Sequence, residues 1–390
     1  MPEVAWPSLV SSVDRHLAGT PCSQAPIPTA SCIHASSRPT PGTHAGRRNP
    51  TRGWRSSALV RSVCVGVVIA LALTPLPALA SPGERIRVRV YVLDFDPLMD
   101  NGVALTADRG WGDPATLGAT YLSDVSAASA GIVEQRIVKT TVVRGYPAKV
   151  NGFTFTNAQY LGCLVDKSAD YCDDRIDYQA VLSTAYDPHF GSACDALMKK
   201  RVDEVWLWGG PWFGYDEFNI GTPFSLCSQV NRTFAVMGFS YERGVGEMVH
   251  DLGHRAEFLI PANIGFAIWD RFDGQRQRYG EDFFCPAAPD ATHPEVDPPV
   301  GHAGNPHFPP NAFCHYQYDR DYPVLSDADD WANYPNLTGA QTTVNASTWG
   351  GTQEGFMVWW LGRFPRNSGS TNAGLNNWWR YIYPGGRTHS

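Results

Sequence analysis

One apolar run decides which part of this 390-residue chain can fold into a globular domain. Residues 63–80 read VCVGVVIALALTPLPALA, with Arg52, Arg55 and Arg61 before them and Ser81-Pro82 after. A basic approach, a short apolar stretch and a small-residue end at Ala78-Leu79-Ala80 are the parts of a secretory signal. Pro75 and Pro77 interrupt the run, which argues against a stable membrane span of about 20 residues. Residues 1–60 are rich in Pro, Ser, Thr, Arg and His and show no apolar periodicity. Such a stretch cannot bury enough surface to offset its ordering entropy. The expected organisation is a leader over 1–80, an unstructured extension plus a signal peptide cleaved near Ala80. A single secreted domain over 81–390 follows, with a core over 85–260 and an irregular lobe over 261–390. The long stretch ahead of the apolar run also suggests translation from near Leu59 or Val60.

Charge and cysteine content fit an extracellular chain. The leader holds 7 of the 31 basic and 2 of the 38 acidic residues, leaving 24 against 36 and a net charge of −12 over residues 81–390. An acidic surface disfavours nucleic acid and anionic membranes as partners. The expected partners are an extracellular polymer or a peptide substrate. Cys163, Cys172, Cys194, Cys227, Cys285 and Cys314 follow the leader. An even count in an exported chain predicts disulfides, with Cys163–Cys172 and Cys285–Cys314 as the local pairs. No CxxC pair marks a cysteine-based zinc site.

The pattern of elements predicts an α+β or α/β fold, a mixed sheet with packed helices and a long irregular, aromatic-rich C-terminal part. Strand character marks 85–95, 132–146, 203–209 and 233–239. Asp113-Pro114 opens a helix over 114–130, and short helices are expected at 177–185 and 194–201. The clearest helix runs from Tyr241 to Ile260 and is expected to stop at Pro261. Residues 285–345 carry little periodicity, and closing helices are expected at 352–364 and 373–383.

The helix before Pro261 carries the chemistry. Val245, Met248, Val249, Leu252, Ala256 and Leu259 make an apolar stripe. Glu247, His250, Asp251, His254 and Glu257 make a second, polar one. Residues three or four apart on a helix are neighbours, so His250 and His254 point the same way, one turn apart. Two imidazoles so placed can reach one divalent transition metal. Gly244, Gly246 and Gly253 weaken the helix and point to another backbone passing close by. A plainer reading makes the polar stripe a solvated face with pairs such as Asp251 and Arg255.

The segment His250-Asp251-Leu252-Gly253-His254 resembles the H-E-x-x-H helix of the zincin metallopeptidases, with aspartate in place of glutamate. That resemblance implies zinc as the cofactor, His250 and His254 as ligands and Asp251 as general base. Glu247-x-x-His250 also has the carboxylate–histidine spacing of metal-binding bundles, which would make Glu247 a ligand or the base and move Asp251 to a supporting position. A third ligand is needed. The choice is His307, framed by Pro306 and Pro309-Pro310, ahead of His302, with His293 and His315 as further candidates. Gly351-Thr352-Gln353-Glu354 is similar to a Gly-Thr-x-x-Asp element that supplies a ligand in one zincin subgroup. The chain as a whole also resembles secreted bacterial proteins.

The leading expectation is a secreted zinc-dependent hydrolase, peptidase-like. A carbohydrate- or cell-wall-binding protein without catalysis is an alternative, using aromatic residues such as Trp206, Trp208, Trp212 and Tyr215. A glycoside hydrolase built on Asp94, Asp96, Asp216 and Glu217 is another. No G-x-S-x-G elbow and no phosphate loop is present.

Overall fold

The computed structural model describes residues 85–274, 301–312 and 314–389. The leader, His293 and Cys285 lie outside them. In chain order the elements are Arg85–Phe95 (β1), Leu105–Arg109 (α1), Pro114–Ala128 (α2), Val133–Val143 (β2), Asn157–Val165 (α3), Asp170–Asp173 (α4), Tyr178–Ser183 (α5), Ala193–Met198 (α6), Glu204–Gly209 (β3), Phe218–Gly221 (β4), Phe234–Ser240 (β5), Val245–Ile264 (α7) and Phe266–Asp273 (α8). After these come Val324–Ser326 (β6), Thr342–Val344 (β7), Ala346–Trp349 (α9), Gln353–Leu361 (α10), Arg366–Thr371 (β8), Gly374–Asn377 (β9), Trp379–Ile382 (α11) and Arg387–His389 (β10).

A mixed sheet with packed helices organises the chain. β2, β1, β3 and β5 run parallel, and β4 closes the far side antiparallel to β5. β1 lends one edge to β2. Its other edge is shared by β3, opposite Val90–Asp94, and by the antiparallel β10, opposite Arg85–Arg87. Every residue of β3 is buried, as a central parallel strand covered on both faces requires. On one face Tyr121 of α2 packs edge-on against Trp206 of β3, and α7 and α10 pack beside α2. On the other face Tyr91 and Phe95 meet Phe190 and Tyr186. Disulfides Cys163–Cys172 and Cys194–Cys227 tie down the connection between β2 and β5. Cys314 is disulfide-bonded as well. No helix among the described residues is long and apolar enough to cross a membrane.

Two expectations about α7 need correction. Pro261 does not stop the helix, which runs on to Ile264 and ends at Gly265 (φ +89°). Ile260, Pro261 and Ile264 are all buried, and that packing holds the last turn despite the lost backbone donor. At the other end, Tyr241 still belongs to the sheet side, its amide bonded to the Gly209 carbonyl, and Gly244 is the N-cap. Residues 373–383 hold the strand β9 before the short α11, because β9 pairs with β8.

Candidate metal centre

α7 leaves the end of β5 and runs back against the sheet, burying Val245, Met248, Val249, Leu252, Ala256 and Ile260. The predicted stripe holds except at its end, where Ile260 rather than the half-buried Leu259 faces the core. Arg255 does not pair with Asp251. It is fully buried, its guanidinium bonded to Glu204 Oε2 at 2.9 Å and to the Ile382 carbonyl at 2.8 Å. The reason is its position on the core side of the helix, where a guanidinium must have partners.

His250 and His254 project together from α7. His254 Nε2 lies 2.9 Å from His250 Nε2 and 3.1 Å from His307 Nε2. One ligand atom from each of the three histidines falls within 4.8 Å of the others, so the group can hold a metal ion. Two nitrogens bound tetrahedrally to one zinc would stand about 3.3 Å apart, close to this spacing. Burial, reinforced by the neighbouring imidazoles, holds His250 well below the usual histidine range and pushes His307 down to about 3. Burial thus favours the uncharged form of both rings, the form that binds a metal.

His307 reaches the helix because its loop is held on several sides. The Asn305 side chain accepts from the His307 and Phe308 amides at 3.0 Å each. Trp360 Nε1 donates to the Gly304 carbonyl at 2.8 Å, and Tyr318 Oη donates to the Pro306 carbonyl at 2.7 Å. Gly253 lets this loop approach. A Cβ there would stand 2.5 Å from Met357 Cε and 2.8 Å from Pro306 Cγ. Gly246 likewise makes room for the Glu354 amide of α10, whereas Gly244 faces open space and serves only as the cap.

The acids around the triad differ in employment. Glu257 Oε2 lies 2.8 Å from His254 Nδ1 and fixes the tautomer that turns Nε2 toward the triad. Glu247 accepts from Gln353 Nε2 at 3.1 Å and lies 3.4 Å from Arg243, so its carboxylate is held toward α10. Asp251 is 4% exposed, and one carboxyl oxygen has no hydrogen-bond partner among the described residues. Burial, with Glu217 and Glu247 near it, lifts Asp251 well above the usual carboxylate range. Glu217 comes from the opposite wall, at the start of β4, and its Oε2 is 3.8 Å from His254 Nε2. The Tyr316 hydroxyl stands 3.3 Å from His307 Nε2, on a backbone at φ +63° that a tyrosine rarely adopts.

The remaining candidates lie elsewhere. His302 pairs with Asp327 at 3.3 Å, while His315 is buried with its ring 5.1 Å from that of His307. Asp96 is held by Arg144 and Thr106, and Asp216 by Arg175. Trp206 and Trp208 are core residues. The spacing of Glu257 to His254, three residues on one helix face, was the legible signal for its role. Glu217 was legible only as a carboxylate on the loop after β3, and Tyr316 not at all, since only the fold brings them to α7.

No family model matches the chain, no curated protein matches it, and no solved structure matches it.

Proposed function

We propose that the protein is a secreted zinc-dependent hydrolase that cleaves peptide bonds. The convergence of His250, His254 and His307 nitrogens carries this reading. Three converging imidazole nitrogens suit zinc, and three protein ligands leave a position for water, as catalytic sites do. Zinc bound there supplies a Lewis acid and lowers the pKa of its water to about 7.

The protein groups around the triad fit hydrolysis. Glu257 orients His254. The Tyr316 phenol is a donor beside His307, where it can bond the oxygen on which charge develops. Among the described residues β4 is the outermost strand on its side of the sheet, and α7 packs next to it. An extended peptide can add to such an edge by main-chain hydrogen bonds. Disulfides and the absence of a membrane-spanning helix among the described residues fit an extracellular protein.

Metal analysis of the purified protein against His254→Ala and His307→Ala tests the reading. The expected result is one equivalent of zinc in the parent and none retained in either variant. Peptide hydrolysis should be abolished by a chelator and restored by zinc. A parent that takes up no metal after dialysis against zinc would sink the proposal.

A further inference from the structure

Among the described residues four carboxylates surround the triad, and their surroundings sort them. Glu257 is taken by His254 Nδ1. Glu247 is turned to Gln353 and Arg243. Asp251 follows the first histidine on the same helix but is sealed in the core at 4% exposure. Among the described carboxylates Glu217 is the one that reaches the triad from across the site. Its side chain is 46% exposed, and its Oε2 lies 3.8 Å from the His254 nitrogen that faces the other two rings.

The wall that carries Glu217 is built to hold still. The buried Lys149 ammonium donates to the carbonyls of Cys172 (3.1 Å), Asp174 (2.7 Å) and Trp212 (2.7 Å). Gly214 (φ +88°) lets the loop press on the Asp174 carbonyl, and the Glu217 carbonyl accepts from the Gly238 amide of β5. Asp216, next in line, is tied to Arg175. Glu217 is thus delivered by the sheet, independently of α7.

We propose that Glu217, rather than Asp251, is the catalytic carboxylate of this centre and faces the attacking water. The inference rests on the metallohydrolase reading given above. A water on the open side of the triad loses one proton to Glu217 Oε2, and its oxygen bonds to the carbonyl carbon of the substrate amide. The carbon–nitrogen bond then breaks, its electron pair stays on nitrogen, and the proton passes from Glu217 to that nitrogen. Water and amide become acid and amine with no change of oxidation state. The motif of α7 thereby supplies metal ligands and a buried acid, while the acid–base group comes from the sheet edge.

Cobalt(II)-loaded protein titrated with acetohydroxamic acid provides a test that does not need a substrate. A hydroxamate chelates through its two oxygens and passes its acidic proton to a carboxylate beside the open side. Glu217→Gln should keep one equivalent of cobalt yet bind acetohydroxamate at least about tenfold more weakly, and peptide hydrolysis should fall by about 10²-fold or more. Glu134→Gln, which removes a carboxylate from β2 on the side of the sheet away from β4, should leave both unchanged. Unaltered acetohydroxamate affinity in Glu217→Gln would overturn the assignment. Loss of cobalt from Glu217→Gln would overturn it too, by making Glu217 a ligand. Absence of cobalt from the parent is a separate result, and it removes the metal reading itself.

Discussion

At the scale of single residues, the protein keeps several ionisable groups away from their ordinary states. Asp94 ends β1 at 7% exposure, with one oxygen lacking a partner among the described residues. Burial, then the charge of Asp96, lifts its carboxyl to about 7, against which Arg144 acts. A raised carboxylate pKa stabilises the fold below the unfolded value, near 4, and that stability is lost as pH rises through 7. The loss amounts to about 4 kcal/mol at most. Asp94→Asn should therefore flatten the stability profile between pH 5 and pH 8 and should be more stable than the parent at pH 8. Urea unfolding at both pH values checks this, and a parent equally stable at the two would refute it. The histidines of α7 were legible because a helix converts a spacing of four into proximity. His307 was legible for a related reason, since prolines fix the backbone that presents it. The Asn305 turn and the Trp360 and Tyr318 anchors that complete the job come from side chains far apart in sequence.

At the scale of elements, glycine placement links α7 to its neighbours. On helix propensity alone, Gly253→Ala should stabilise α7 by about 1 kcal/mol. The close approach reverses that expectation. Met357 Cε can swing aside, but the Pro306 ring cannot do so without moving the residue next to it, His307. Gly253→Ala should therefore keep the helix, judged by circular dichroism, while weakening metal binding at the histidine triad by about tenfold or more, a loss of the size seen when groups supporting a ligand are disturbed. Unchanged metal affinity would show that the loop does not depend on this contact. β1, β3 and β5 were readable from their apolar and β-branched runs. β4 was not, because FNIG is too short and too polar to announce a strand, and its pairing with β5 makes it one. α8 was hidden behind Pro261, which reads as a stop until Ile260 and Ile264 are seen to be buried. Residues 373–383 look helical through Trp378 and Trp379, yet Gly374–Asn377 is claimed by its partner strand β8.

At the scale of the whole molecule, Arg255 joins three regions that the sequence separates. It sits on α7, bonds Glu204 at the head of β3, and caps the Ile382 carbonyl of α11. Trp206 Nε1 completes the satisfaction of Glu204 at 2.8 Å. Removing one partner of a buried pair strands the other charge, so Arg255→Met should cost about 3–5 kcal/mol. The double change Arg255→Met with Glu204→Met should recover much of that, and denaturant midpoints of the three proteins decide the matter. A single variant as stable as the parent would contradict the role given to this pair.

β10 lies along β1, pairing Arg85 with His389 and Arg87 with Arg387. A contact between positions some three hundred residues apart cannot form while the later one is still inside a ribosome or a translocation channel. The first strand therefore emerges with part of its edge bare, and the central sheet closes only after residues 387–389 are free. Such late, long-range closure slows folding and prolongs exposure of unpaired strand edges. The compact state therefore waits for the last strand, and until then the exposed edge of β1 is open to wrong partners.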